Sequence, residues 1–302
     1  MKKTNFFLVV LIFLILLATI GAAPGCGQKK IIFNTTALQV SFVQDAPPKE
    51  VNYGVAFPIY AEVKNLGGYD LAPGAASFYL SGIGENLIGV EKKLSNTGFL
   101  SKKTPIQQGG SEVLNFATAA QVARQLPSAF NLTIKLTSCY NYATITQTTI
   151  CVGKKDCPGV ALAGNKIITG SNTAAPIQVT ELTEQVQGNK LYVFFKIQNK
   201  GAGEVYLQDA DCDRIELQDV NEQLKKNKVN IAIRAEQGFT CNLQTAQAPY
   251  TSTKSLEGVA YVEYQVVCEK TLTEADLHAA PIEILLSYKY RESITKSLTI
   301  LP

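Results

Sequence analysis

The sequence predicts an all-β protein: two tandem antiparallel β-sandwich domains behind an N-terminal signal or anchor segment. Three observations carry this expectation: apolar residues alternating at period two, sequence blocks that recur in the same order in both halves, and a start that is basic and then apolar. The domains are expected at residues 31–157 and 172–302, with a Gly- and Ala-bearing linker over 158–175.

The chain opens with Lys2 and Lys3, runs apolar from Phe6 to Ile20, and continues Gly21-Ala22-Ala23-Pro24-Gly25-Cys26. A basic start, an apolar stretch and a small-residue end are the parts of a signal segment, so residues 1–26 address the rest of the chain outside the cytoplasm. Cleavage after Ala23 would leave Pro24 at the new N-terminus, where it is disfavoured. Ala23-Pro24-Gly25-Cys26 resembles a lipobox, with Ala23 in place of the usual Leu and Pro24 in its middle, and this implies lipidation of Cys26. Retention is the third fate, because Phe6 to Ala23 is near the ~17 apolar residues that span a bilayer, with Lys2 and Lys3 kept in the cytoplasm. In two of the three fates the protein stays on the membrane surface.

The strands follow in order. Val55-x-Phe57-x-Ile59-x-Ala61-x-Val63 and Leu191-x-Val193-x-Phe195-x-Ile197 each put their apolar residues on one face of a strand. Both run into an Asn-x-Gly turn, at Asn65-Leu66-Gly67-Gly68 and at Asn199-Lys200-Gly201-Ala202-Gly203. Further strands are expected at Ser77–Leu80, Glu112–Ala117, Val229–Arg234 and Val259–Cys268, and helices at Ala117–Leu126 and Glu216–Lys226. Leu38-Gln39-Val40-Ser41 recurs as Ile177-Gln178-Val179-Thr180, and Tyr140-x-Tyr142 as Tyr288-x-Tyr290, each Tyr pair preceded and followed by β-forming residues. With the Asn-x-Gly turns these make three matched blocks, the mark of a duplication. Both Tyr pairs share parity with the apolar residues before them and are expected to continue the inward face. An aromatic platform for a sugar or peptide is the alternative.

Seven cysteines become six once Cys26 is set aside for a lipid. An oxidising compartment lets Cys139, Cys151, Cys157, Cys212, Cys241 and Cys268 close three disulfides. Parity points Cys139 and Cys151 outward, so a Cys139–Cys151 bond is weighed against pairings through Cys157. Cys241–Cys268 is expected in the second repeat, which leaves Cys157 and Cys212 to tie the domains together. Cys-x-x-Cys spacing is missing and His278 is the single histidine, so neither a zinc site nor another cofactor is expected.

The Asn-x-Gly-Gly turn after an alternating strand, repeated in tandem behind an export signal, resembles the CARDB-type and related immunoglobulin-like sandwich modules of prokaryotic surface proteins. The Tyr-x-Tyr pair followed by Ile150-Cys151-Val152 and Cys157 is similar to tandem domains of secreted archaeal proteins. The resemblance spans residues 31–302 and implies adhesion, scaffolding or ligand presentation, with no catalytic residue to carry over. A true immunoglobulin domain is disfavoured, since the chain has no Trp to pack on an inter-sheet disulfide.

The remaining motifs are weaker. Losing Lys2 and Lys3 with the leader takes the net charge from +3 to +1, and Lys29-Lys30, Lys154-Lys155 and Lys225-Lys226 are scattered pairs, so a nucleic-acid partner is not expected. Asp209-x-Asp211-x-Asp213 opens like a calcium loop, but Arg214 stands where Gly is needed and Val220 where Glu is needed. His278 lies near Glu274 and Asp276 without a nucleophile motif. Asn34-Thr35-Thr36 and Asn131-Leu132-Thr133 are glycosylation sequons. The expected function is a non-enzymatic, membrane-tethered surface protein that engages other surface proteins or glycans. The alternatives are a lipid-anchored carbohydrate or peptide binder and, third, an extracytoplasmic hydrolase.

Overall fold

Alternation is realised as burial: Phe57, Ile59, Ala61 and Val63 face the core from one strand, and Leu191, Val193, Phe195 and Ile197 from its counterpart. The computed structural model describes residues 31–84, 87–243 and 256–302. The leader and Cys26 lie outside the described residues. The first repeat contains β1 (Leu38–Phe42), β2 (Glu50–Asn52), β3 (Phe57–Asn65), β4 (Ala76–Ser81), β5 (Lys93–Ser95), β6 (Ser111–Ala120) and β7 (Phe130–Gly153). The second contains β8 (Ile177–Gln187), β9 (Lys190–Asn199), β10 (Glu204–Leu207), β11 (Lys228–Arg234), β12 (Phe239–Cys241), β13 (Leu256–Tyr261), β14 (Gln265–Thr271) and β15 (Leu277–Leu301). Two short helices, α1 (Cys212–Glu216) and α2 (Val220–Gln223), interrupt it between β10 and β11. With 55% strand and 3% helix, the protein is all-β.

The strands of the described residues form three sheets. A three-stranded sheet, β1-β3-β6, belongs to the first repeat, and a four-stranded sheet, β12-β14-β9-β8, to the second. Strands of both repeats make up an eight-stranded sheet in the order β13-β11-β15-β7-β4-β5, with β10 and β2 also pairing β15. The repeats therefore share their central sheet, and Phe33–Pro302 forms one compact unit. Residues 158–175, expected as a linker, hydrogen-bond to both repeats along β7 and β8.

β7 and β15 pair antiparallel from Gly153↔Leu277 to Phe130↔Ile300. Within that ladder Tyr142 faces Tyr288 and Tyr140 faces Tyr290. Tyr140 is the repeat equivalent of Tyr288, and Tyr142 of Tyr290, so exchanging the repeats maps the ladder onto itself about a local two-fold axis at Asn141↔Lys289. The four rings are buried around this axis, with centroids 5.8 to 6.5 Å apart. Each such edge or tilted pair adds ~0.5–1.5 kcal/mol beyond burial. The inward expectation for both Tyr pairs holds.

Three expected elements differ. Val259–Cys268 is two strands in different sheets, β13 in the eight-stranded one and β14 in the four-stranded one, with a turn at 262–264 where Glu263 has φ 73°; the Glu263 N–H donates to Ile197 O and its carboxylate accepts from Asn199 N–H and Gln198. A tertiary anchor thus makes a turn where no Gly, Asn or Pro announces one. Ala117–Leu126 is not helical: Ala117 and Ala120 pair with Ile59 and Phe57, and the ladder overrides alanine's helix preference. Glu216–Lys226 is reduced to the end of α1 and to α2.

Each of the six cysteines beyond Cys26 is bonded. Cys241–Cys268 joins facing residues of β12 and β14, as expected. The other pairs are Cys139–Cys212 and Cys151–Cys157. The Cys139–Cys151 expectation is corrected because both lie on one strand, twelve residues of extended chain apart, whereas α1 brings Cys212 to within a Cα distance of 6.0 Å of Cys139. Cys212 does tie the two repeats together, through Cys139 and not Cys157.

Candidate functional site

Each Asn-x-Gly turn is locked by a tyrosine from the central sheet. In the first repeat, Asn65 Nδ2 donates to Tyr69 O (2.7 Å) and Leu100 O (3.0 Å), while its Oδ1 accepts from Gly67 N–H (3.1 Å) and the Tyr142 hydroxyl (3.2 Å). Tyr69 N–H donates back to that hydroxyl at 3.3 Å. The second repeat reproduces the pattern: Asn199 donates to Gly203 O (2.8 Å) and accepts from Gly201 N–H (3.1 Å), and Gly203 N–H donates to the Tyr290 hydroxyl (2.6 Å). Glycine is required at the second turn position because a Cβ on Gly67 would strike the Tyr142 hydroxyl, and one on Gly201 the Tyr290 hydroxyl. Burial drives the phenols up, Tyr290 to about 12, so all four stay neutral. This is why the motif recurs.

The other two tyrosines mark where the repeats diverge. Tyr288 shares a hydrogen bond with the Thr144 hydroxyl (3.0 Å), which donates to Ile177 O (2.6 Å). Across the axis, Tyr140 donates to Glu292 Oε1 at 3.3 Å, Glu292 standing where symmetry places the counterpart of Thr144. Glu292 is drawn out of water, and desolvation holds its carboxyl above the usual range against the Tyr140 hydrogen bond. It has no ion-pair partner among the described residues.

Glu292 lines a slot of about 340 Å³ between edge strand β1 and the β7/β15 pair, with Leu38, Val40, Leu136 and Ile294 as its apolar walls. The corresponding slot of the second repeat, between β8 and β7, is filled by residues 165–173. Lys166 N–H donates to Leu182 O, Thr173 N–H to Ile145 O, and Gln147 N–H to Ser171 O, at 2.7–2.9 Å. Ile167 is buried there. The Lys166 ammonium meets the fully buried Glu184 carboxylate at 2.8 Å and also reaches Ala161 O. Desolvation, opposed by Lys166 and by Cys151 N–H, leaves the Glu184 carboxyl raised.

The other expected residues are placed as follows. Asp211 caps α1 by accepting from Asp213 and Arg214 N–H, Asp213 accepts from Tyr79 (2.8 Å) and Lys93 (2.6 Å), and Asp209 pairs with Lys225. The three aspartates are thus spent on capping and tying α1, and no cluster of three His, Cys, Asp or Glu able to hold a metal occurs among the described residues. His278 bonds Glu236 through Nε2 at 2.6 Å on the surface. Asn34 and Asn131 are exposed; Asn34 Oδ1 accepts from Thr36 N–H, and Asn131 Oδ1 from the Thr299 hydroxyl. Glu292, Glu184 and Lys166 were missed by sequence reasoning. The apolar pair Ile167-Ile168 beside Lys166 was the available sign that 158–175 is more than a tether.

No family model and no curated protein matches the chain. Among solved structures, the secreted serine protease VesC from Vibrio cholerae aligns at 11% identity over 82% of this chain and 50% of its own, with a TM-score of 0.20. The chain thus spans half the length of that structure, and a likeness of this size carries no argument about activity. The class that the fold defines is an all-β, antiparallel, disulfide-bonded protein. Its three disulfides fit an oxidising compartment, and no helix among the described residues is long and apolar enough to cross a membrane.

Proposed function

We propose that this is a non-enzymatic surface protein, held at the membrane by its N-terminal segment or by a lipid on Cys26, that works by binding other surface molecules. Its repeats are divergent copies of the CARDB-type, immunoglobulin-like sandwich fused through a shared sheet. The compartment rests on the disulfides, which require oxidising surroundings to form and persist. The binding role is supported chiefly by the open slot at Glu292, a concave site with apolar walls and one carboxylate, whose counterpart in the second repeat the chain fills itself. A lipid-anchored peptide or carbohydrate binder is the second reading, favoured by the same slot.

The test is intact-mass analysis of the protein extracted from the membranes of its host, before and after reduction, with protease shaving of intact cells. The expected result is loss of residues before Cys26 with added lipid mass or retention of the leader, a gain of six hydrogens on reduction, and removal by external protease. A full-length chain in the cytosol with free thiols contradicts the proposal.

A further inference from the structure

We propose that the slot between β1 and β15 receives an extended strand of a partner protein, laid antiparallel along β15 and carrying a lysine or arginine for Glu292. This deepens the binding role just proposed and rests on it for the partner's presence at the cell surface.

The edge of β15 carries the first argument. Its outer side is paired by β11, by β10 as far as Arg291, and by β2 from Thr299 onward. Between them, residues 292–298 have no strand on that outer side among the described residues. Thr299 N–H donates outward to Lys49 O, and in the matching stretch of β7 the outward groups belong to Ile145 and Gln147. Successive residues of a strand alternate in direction, so Ser293, Thr295 and Ser297 turn their backbone N–H and C=O groups to the open side. All three are exposed. A row of unpaired ladder groups is a template for an added strand.

The second argument is that the molecule already performs this docking once. The two-fold axis that relates Tyr140 to Tyr288 places Ile145 on Ser293 and Gln147 on Thr295. Along Ile145 and Gln147 lies the segment 165–173, bridged antiparallel at Thr146↔Asn172 and tied to β8 through Asn172 and Val179. It occupies the space between an edge strand and the central sheet, the same space that stays open at β1. The fold therefore accepts an extended peptide at this position.

Charge selects the occupant. Both slots hold one carboxylate removed from water, from different walls: Glu184 in the filled slot and Glu292 in the open one. The docked segment brings Lys166 to Glu184. Among the described residues the Glu292 carboxylate has the Tyr140 hydroxyl alone. A desolvated carboxylate gains most from a charge-assisted partner, so the complementary side chain is a lysine or arginine.

The probes are fluorescein-labelled nonapeptides copying residues 165–173, with the single lysine at its natural second position or moved to the seventh or ninth, and one member without lysine. Fluorescence anisotropy with the oxidised full chain should show saturable 1:1 binding of a lysine-bearing member, weakened at least about tenfold when the lysine is removed. Glu292→Gln should erase that lysine preference, and Thr295→Pro, which deletes an outward N–H at a tolerated edge position, should abolish binding while leaving the thermal melt of the chain unchanged. No binding by any member overturns the proposal, as does binding indifferent to both substitutions. Peptide binding by a chain that proves cytosolic would leave the slot assigned and remove the surface role, whereas a surface-exposed chain that ignores every peptide would do the reverse.

Discussion

Gly201→Ala tests the tyrosine lock in a way that predicts its own rescue. The added Cβ would collide with the Tyr290 hydroxyl and stand 2.7 Å from Pro176 Cβ, both side-chain atoms. Overpacking costs about 1–3 kcal/mol, and displacing the phenol orphans the Gly203 N–H for about 1–3 kcal/mol more, so a loss of about 2–6 kcal/mol is expected. Tyr290→Phe removes the hydroxyl without adding volume and should cost about 1–2 kcal/mol. In the double variant the oxygen that clashes is gone, so Gly201→Ala/Tyr290→Phe should beat the sum of the single losses by about 1–2 kcal/mol. Gly67 supplies the contrast: its Cβ would also lie 2.9 Å from the carbonyl oxygens of Ala174 and Thr36, so Tyr142→Phe cannot relieve Gly67→Ala. The assay is urea unfolding of the oxidised protein, followed by far-UV circular dichroism and by tyrosine fluorescence, which no Trp obscures. Additivity within about 0.5 kcal/mol at Gly201, or equal rescue at Gly67, would refute the steric reasoning.

Asn65→Ala should destabilise by about 2–4 kcal/mol and more than Asn199→Ala, because the fully buried Asn65 amide makes four hydrogen bonds and the half-exposed Asn199 two; urea midpoints rank them. Replacing Cys139 and Cys212 together by Ser frees a loop of 73 residues and should cost about 4 kcal/mol, whereas opening Cys151–Cys157, six residues apart, should cost about 2 kcal/mol, read as urea midpoints of the variants. Because burial raises the Glu292 carboxyl in the folded chain, its proton is held more tightly there than in the unfolded chain. Its contribution is thus complete below the unfolded value near 4.5 and is lost as pH rises through the folded one. Glu292→Gln should therefore gain stability relative to the parent as pH climbs through that window, and a flat difference between the two pH–stability curves would contradict the assignment.

Much of the local structure was readable. Period-two alternation placed β3 and β9 with their inward faces, because one face of each strand is buried and its neighbour is not. The Asn-x-Gly turns and the Tyr pairs were visible as repeats, though not their connection, since the hydroxyl that locks Gly67 lies far along the chain in Tyr142. Pairing of β7 with β15 was hidden for a related reason: alternation reports which face of a strand is buried and says nothing about which strand lies beside it. The partner of Cys139 depended on that shared sheet and on where α1 lands. The slot at Glu292 emerges only by comparing two copies of one arrangement, one filled and one open.

Non-reducing peptide mapping by mass spectrometry, on protein recovered from its own host, reads the shared sheet and the oxidising residence together. The account predicts the pairs Cys139–Cys212, Cys151–Cys157 and Cys241–Cys268, the first joining the two repeats. Bonds confined within each repeat, or six free thiols, would contradict it.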